Sequence, residues 1–484
     1  MRATYQESYS DVIRKIEVDL RSRDDIPALI RGLQHIYMED HLRMLVFSVL
    51  KENHFTIADL TTGRPGMDLW RLFVLAVFRV NLDWDYDRLT DMVNYHSMIR
   101  QIFGHETSDT EKHARSTIRD NYNLIDDEII TKINTLIVSE GHSLLGKLGQ
   151  PLKGRCDSFV VESNVHFPTD INLLFDALRK CVHLGKKLAR KFGCKGFREY
   201  QSFLKKIKAF FNKARNKCKG KNKGNKDGLP YGKARTSHHK EYIDYGKEIV
   251  EKCLNILNFS NSQDTKKILK YIYQLRIYTE KAQILIDQIQ RRVLEGKSIP
   301  NEEKIYSVFQ TFTEWLSKGK AKSPVELGLN VCVIEDQYGF ILNHRVMQDE
   351  TDPDVAVKVV KDTKSRFENL SQCSFDRGFY SKENLEELSK ILNFVVMPKK
   401  GYKSKDEIER ERQADFIEAK NQHSAVESAI NAIENHGLDR CPDRGLLSFK
   451  RYVAVAVVAR NILKIGTILI QKERKSPHRL IEAA

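Results

Sequence analysis

Cys156-Asp-Ser-Phe-Val-Val-Glu162 is the stretch on which the reading of this chain turns. Its β-branched and aromatic residues mark a buried strand. Period-two alternation puts Asp157, Phe159 and Val161 on one face and Ser158, Val160 and Glu162 on the other. Glu162 therefore lies opposite Asp157, and the two are not expected to share a metal. A second strand, Leu370-Ser-Gln-Cys-Ser-Phe-Asp376, ends on an acid and runs into Arg377-Gly378, where glycine can release the chain from a sheet. A third acid, Glu427, lies in Phe416 to Glu434, a run without Pro or Gly that spaces Ala425, Val426, Ala429, Ile430 and Ile433 as a helix does. Packed side by side, these elements bring three carboxylates to one sheet edge, where they can hold divalent metal.

The elements between them give the order of the fold. From Glu326 to Glu335, Leu327, Leu329, Val331 and Val333 share a face, and Asp336-Gln-Tyr-Gly339 turns the chain into Phe340 to Gln348. A helix Val355 to Phe367, the Asp376 strand, a helix Lys382 to Leu392 and a short strand Phe394-Val-Val-Met397 follow. The sequence β-β-β-α-β-α-β describes an α/β core, a mixed five-stranded sheet flanked by helices of the RNase H-like type. In that arrangement the first and fourth strands are neighbours, so Asp157 and Asp376 meet although 219 positions separate them.

The expected organisation has five parts. Residues 1–145 form a helical N-terminal domain whose short helices either serve structural packing or present one member to DNA, and in which Asp24 to Leu50 is amphipathic and Gly63-Arg-Pro-Gly66 launches an apolar helix, Met67 to Val80. Further helices are expected over Asp83 to Asn94, Ser97 to Phe103 and Ser108 to Val138. Residues 151–174 begin the catalytic core, 175–320 are a basic helical insertion, 321–450 complete the core, and 451–484 are a C-terminal helix and tail. Within the insertion, Lys266 to Leu294 reads as one long helix, and Gly220 to Gly232 as a mobile loop.

Charge is concentrated in the insertion. His183 to Lys240 holds 19 Lys or Arg against Glu199 and Asp227, a local excess of +17 in a chain whose net charge is +15. One segment therefore carries the whole excess, as a phosphate-binding surface would. Lys186, Lys187, Arg190, Lys191, Lys205, Lys206 and Lys208 are its candidate DNA contacts, interleaved with Phe192, Phe197, Tyr200, Phe203, Phe210 and Phe211. The bland alternative is a solvated insertion without a specific ligand. Eight cysteines show no CxxC pair, which argues against a zinc ribbon or disulfide framework and for a reducing cytoplasm. No apolar leader follows Met1. Tyr452 to Ile470 is the most membrane-like stretch, but Arg460, Asn461 and Lys464 make it a buried helix, and no membrane partner is expected.

Three blocks resemble bacterial insertion-sequence transposases of the DDE type. Asp157-Ser-Phe-Val-Val-Glu-Ser-Asn-Val-His-Phe-Pro-Thr-Asp170-Ile-Asn-Leu-Leu174 resembles their first-aspartate block. Ser374-Phe-Asp-Arg-Gly-Phe-Tyr-Ser381 resembles the second, and His423-Ser-Ala-Val-Glu427-Ser-Ala-Ile-Asn with His436-Gly-Leu-Asp-Arg-Cys441 resembles the glutamate block. The Gly63-Arg-Pro-Gly66 helix looks like the N-terminal domain common in these enzymes. The resemblance implies Asp157, Asp376 and Glu427 as catalytic and metal-binding residues, two Mg²⁺ or Mn²⁺ ions as cofactor, and double-stranded DNA as partner, both transposon terminal inverted repeats and target. Synapsis of two ends implies a homodimer. Relatives often carry Arg four residues before the glutamate and Lys seven after; here His423 and Glu434 stand there. Strand clamping then falls to Arg377, Lys399, Lys400 or the basic insertion, with His423 one turn from Glu427 either meeting a phosphate or simply facing solvent.

That chemistry needs hard oxygen ligands, which select Mg²⁺ or Mn²⁺. Asp157 is cast as the bridging ligand. Water attacks first, freeing a 3′-OH that then attacks target DNA, so no nucleotide cofactor is required, and no Walker-type loop occurs. Other acids read as structural: Asp170 as a helix cap, Asp352 and Asp354 as caps around Pro353. Two readings from other classes stay open, a DNA-binding regulator that keeps the fold without catalysis and a metal nuclease that cuts without joining.

Overall fold

The computed structural model describes residues 9–52, 66–216, 233–259, 266–317 and 325–475. Gly63 to Pro65 of the expected turn, and the loop expected from Gly220 to Gly232, lie outside them. The helices before the first strand are α1 (Tyr9–Arg14), α2 (Asp25–Met38), α3 (Asp40–Lys51), α4 (Leu69–Asn81), α5 (Tyr86–Tyr95), α6 (Ser97–Ile102), α7 (Arg115–Tyr122) and α8 (Asp127–Leu144). Strand β1 (Leu152–Ser163) leads to α9 (Asp170–Phe192), α10 (Tyr200–Asn216), α11 (Lys233–Leu257), α12 (Lys266–Ile289) and the short β2 (Glu314–Ser317). Then come β3 (Val325–Glu335), β4 (Ile341–Val346), α13 (Asp352–Arg366), β5 (Leu370–Phe375), α14 (Lys382–Ile391) and β6 (Phe394–Val396). The chain closes with α15 (Lys405–Arg412), α16 (Ala414–Gln422), α17 (Ala425–Ile433), β7 (Arg440–Cys441) and α18 (Leu446–Lys475). Two compact units result, one from residues 1–164 and 316–484, the other from 165–315.

The first unit is mixed α/β with a seven-stranded mixed sheet in the order β2-β3-β1-β5-β6, with β4 on β3 and β7 on β1. β3 runs antiparallel to β1, pairing Asp157 with Val333, and β4 runs antiparallel to β3. β5 lies parallel to β1, pairing Cys156 with Phe375, and β6 lies parallel to β5. Five strands were expected and seven are present. β7 is only two residues long, too short to show alternation, and β2 falls where helix was expected to continue to about Lys320. The expected helix from Phe416 to Glu434 is two, broken at His423–Ser424, and the expected helix Asp24 to Leu50 is also two, because Glu39 takes an extended conformation with ψ of 106°.

Helix α4 is the centre of the helical part of this unit. Every residue in it except Arg71 is buried, Asp68 caps its first turn by accepting from the Arg71 amide, and Trp70 Nε1 donates to the Ile102 carbonyl at 2.8 Å. Arg79 is buried on the same helix. Its guanidinium lies 4.4 Å from the Tyr86 ring centroid and 4.3 Å from that of Tyr122, and it donates to both oxygens of Asp443 at 2.7 and 3.2 Å. Cation and carboxylate are thus paired and ring-stacked, which is what lets them be buried.

Helix α18 is the one helix among the described residues long and apolar enough to cross a membrane, and 72% of its most apolar window is buried inside this unit. Its polar residue Asn461 is fully engaged: it donates to Asn134 Oδ1 at 2.8 Å and to the Ile341 carbonyl at 2.9 Å, and accepts from the Ile341 amide at 3.0 Å. Where α18 crosses α2, glycines let the backbones touch. A Cβ on Gly466 would stand 1.7 Å from the Ala28 carbonyl oxygen, and one on Gly32 2.4 Å from that of Ile462.

The second unit is helical. α9 packs against α10, α11 and α12 around Leu174, Leu178, Cys181, Leu188, Phe197, Tyr242, Ile249, Leu275 and Leu285. Gly193 ends α9 in the left-handed region with φ of 68°, the usual helix stop. Thr169, not Asp170, caps α9, its side chain accepting from the Asn172 amide; Asp170 sits in the first turn and pairs with Arg292 Nε at 2.7 Å.

Because the α2–α18 crossing has no room for a methyl group, Gly466→Ala must push the helices apart. The expected loss is about 3 kcal/mol, at the upper end of overpacking effects. Urea unfolding of the full chain measures it, and an unchanged midpoint would show that the crossing yields without cost.

Candidate active site

Asp157 is set by β1, a strand held on both sides. Its Oδ1 accepts from the Ser158 amide at 2.7 Å, which fixes the carboxylate. Parallel pairing of Cys156 with Phe375 brings the end of β5 alongside, and Asp376 is the next residue, at the start of a 3-10 turn (Arg377–Phe379). Glu427 is in the first turn of α17, which packs on β1 and β3 through Val426, Ala429, Ile430 and Ile433 and leaves Glu427 exposed.

A fourth acid joins them. Asp352 Oδ1 accepts from Ser158 Oγ at 2.7 Å, and a Cβ added at Gly378 would stand 3.0 Å from Asp352 Oδ2 and 3.9 Å from Asp376 Oδ2. Gly378 thus sits where a side chain would crowd Asp352 and touch Asp376. From sequence, Asp352 and Asp354 both read as caps. The cap of α13 is Thr351, whose amide and hydroxyl both donate to Asp354 Oδ2, at 2.8 and 2.5 Å. One capping acid suffices, so the second Asp beside Pro353 was the signal that it serves elsewhere.

The other three charges act on Asp157. Asp157 is raised from its ordinary 3.8 to about 6, first by burial and then by the charges of Asp376, Asp352 and Glu427, against the lowering effect of the Ser158 amide. His423 is pulled down to about 4, mainly by burial, with Arg155 adding to the fall and Asp376 opposing it. Its Nδ1 meets Ser374 Oγ at 2.9 Å, while its buried Nε2 has no hydrogen-bond partner among the described residues. Of the two readings of His423, the solvent-facing one does not hold: the residue lies at the break between α16 and α17 and meets Ser374 on β5.

The basic candidates divide. Arg377 and Lys400 are exposed. Lys399 Nζ is engaged by both oxygens of Glu407 at 2.9 Å. In the second unit, Lys186 Nζ lies 3.5 Å from the Tyr200 ring centroid and Lys187 Nζ 4.9 Å from that of Tyr271, while Arg190, Lys191, Lys205, Lys206 and Lys208 are exposed. Arg179, His183, Lys187 and Arg190 are spaced to share the solvent face of α9.

Carboxylate oxygens are the right donors for a hard divalent cation, and Asp157 is raised by burial first, with the charges of Asp376, Asp352 and Glu427 adding to it. The acid group is open, however. Among the described residues, the set of His, Cys, Asp or Glu whose ligand atoms all lie within 4.8 Å of one another is His105, Glu111 and His113, which the sequence reading passed over, His105 between two expected helices and Glu111 and His113 inside the expected helix Ser108 to Val138. No family model, curated protein or solved structure matches the chain.

For Asp157 the sign is set by a raised acid. Its contribution to stability is full below pH 3.8 and is lost as pH rises to about 6, because the unfolded chain ionises first. Asp157→Asn should therefore stabilise the protein in chelator at pH 7 by about 2 kcal/mol and flatten the pH profile between these limits. A lower urea midpoint for the variant at pH 7 would contradict the reading of Asp157 as an uncompensated charge.

Proposed function

We propose that the chain is a DNA transposase of the DDE type, in which Asp157, Asp376 and Glu427 hold two Mg²⁺ or Mn²⁺ ions and serve cleavage at insertion-sequence ends followed by joining of the freed 3′-OH to target DNA. The observation that carries this reading is the adjacency of β1 and β5, with Asp157 within the fields of Asp376, Asp352 and Glu427. Counting only β1, β3, β4, β5 and β6 in chain order, the sheet reads third-second-first-fourth-fifth, with the last two parallel to the first. That order supports the RNase H-like assignment.

Divalent metal, when bound, supplies an activated oxygen nucleophile and charge stabilisation at the phosphoryl group. The protein's own residues supply the positions. Asp157 is central because two strands fix it; Asp376 and Glu427 flank it from a strand end and a helix. Arg377, exposed beside Asp376, is placed to meet a phosphate. His423 is neutral at pH 7, so it offers a hydrogen bond rather than a charge. The cationic face of α9 tracks a nucleic-acid backbone as a row of point charges. Assembly as a homodimer on two DNA ends, in the cytoplasm, completes the proposal.

Purified protein incubated with linear DNA bearing the element's ends and Mg²⁺ should give joined product with wild type and none with Asp376→Ala. Cleaved but unjoined ends would favour the nuclease reading. Retained DNA binding with neither product would favour the silent regulator.

Charge reversal on α9 tests the basic surface separately. Lys187→Glu with Arg190→Glu should weaken binding to duplex DNA across sequences and reduce the slope of log affinity against log salt by about 2, one for each phosphate that is no longer neutralised. An unchanged slope would remove α9 from the DNA interface.

A further inference from the structure

Well before the first strand, the segment joining α6 to α7 carries two buried imidazoles that face each other. His105 Nε2 and His113 Nε2 are 2.9 Å apart, Glu111 Oε2 lies 3.9 Å from His105 Nδ1, and one ligand atom from each of His105, His113 and the exposed Glu111 lies within 4.8 Å of the others. Asp109 Oδ2 lies 2.5 Å from His105 Nδ1. Asp109 accepts a hydrogen bond from His105 Nδ1–H, which fixes the tautomer and leaves the Nε2 lone pair pointing at His113. Carboxylate to histidine to ligand position is the arrangement by which proteins orient imidazoles toward metal.

The segment is built to hold this geometry. The Asn94 side chain accepts from the His113 amide at 2.8 Å and donates to its carbonyl at 3.0 Å. Arg100 donates to the carbonyls of Asp109 at 2.7 Å and Glu111 at 3.0 Å. The Phe103 ring stacks on His105, with centroids 5.9 Å apart, and meets the His113 ring edge-on at 5.2 Å. The nearest cations are occupied: Arg71 donates to the Phe103 carbonyl at 2.9 Å, and Arg100 is spent on carbonyls. Both imidazoles are held below the ordinary histidine range, chiefly by burial, and so are neutral and ligand-competent at pH 7.

We propose that His105, His113 and Glu111 form a zinc site, separate from the acid cluster, that clamps the segment between α6 and α7, with Asp109 orienting His105 and a fourth position open to water. Two imidazoles with one carboxylate is a set that zinc accepts with an open position, whereas Mg²⁺ prefers all-oxygen surroundings. Tetrahedral sharing at ordinary zinc–nitrogen lengths needs the two nitrogens about 3.3 Å apart, an opening of a few tenths of an ångström. On binding, the proton between the rings moves to His113 Nδ1, so both imidazoles stay neutral. The exposed Glu111 leaves an entry path.

The test uses the full chain, stripped with chelator and titrated with Zn²⁺ or Co²⁺ in excess Mg²⁺, which fills oxygen sites without competing for imidazole. The expected result is one equivalent of zinc retained through gel filtration, a visible Co²⁺ band of a four-coordinate nitrogen and oxygen site, and a rise in thermal midpoint. His113→Gln should abolish retention. Glu111→Gln, on an exposed side chain that folding does not require, should weaken it at least tenfold. Wild type that retains no zinc, or zinc retention and Co²⁺ spectrum unchanged in Glu111→Gln, would overturn the proposal.

Discussion

Parallel pairing of β1 with β5 is the constraint on which the first unit's chemistry depends. Backbone pairing of Cys156 with Phe375 sets the register, and side chains then follow without further choice. Asp157 projects from the strand it belongs to, and Asp376 emerges where its strand stops. A shift of one residue in that pairing would turn Asp157 to the other face of the sheet. Register here is held by burial on both faces, with Leu152, Cys156, Phe159 and Val161 on β1 and Leu370, Cys373 and Phe375 on β5 all excluded from solvent. Hydrophobic burial thus fixes a polar cluster that would otherwise repel itself apart.

The helical elements are tied to this sheet by a few buried polar links. His142 Nε2 meets Asp336 Oδ2 at 2.6 Å, with both residues buried, joining α8 to the turn between β3 and β4. Asn134 and Asn461 share a hydrogen bond while both donate to the Ile341 carbonyl, joining α8, α18 and β4. Arg79 and Asp443 join α4 to the segment before α18. Such links add little net stability compared with apolar packing, but losing one partner leaves the other buried and unsatisfied. Their role is therefore to select one arrangement of helices about the sheet.

Much of this was legible because apolar periodicity reports burial directly. Strands β1, β3, β4 and β5, the all-round apolar α4 and the buried α18 follow from spacing alone. The acids Asp157, Asp376 and Glu427 could be named because Asp157 and Glu427 sit on periodic elements and Asp376 directly follows one. What escaped was set by contacts distant in sequence. Asp352 stands out in sequence only as a second acid beside Pro353, and its place in the cluster is set by Ser158, 194 positions away, which donates to it. The break at His423–Ser424 contains no Pro or Gly, so no local breaker announces it. His105, Glu111 and His113 lie on an irregular segment whose shape comes from Asn94 and Arg100, and no period reveals such a loop.

An acid cluster and a phosphodiester repel each other, so a chain that brings them together must supply positive charge in two ways. At short range only a cation seated among the carboxylates can do so. Arg155 is committed to Glu335 at 3.2 Å and Lys399 to Glu407 at 2.9 Å, and His423 is uncharged at neutral pH. At long range, the local excess of +17 in His183 to Lys240 outweighs the rest of the chain, and on α9 it is laid out as an exposed face. The two sources differ in salt dependence: a cationic face that neutralises phosphates weakens as counterions compete, while an ion in direct contact with several carboxylates is screened less. On the proposed function, the acid cluster of the first unit and the cationic face of the second would divide these two tasks between them.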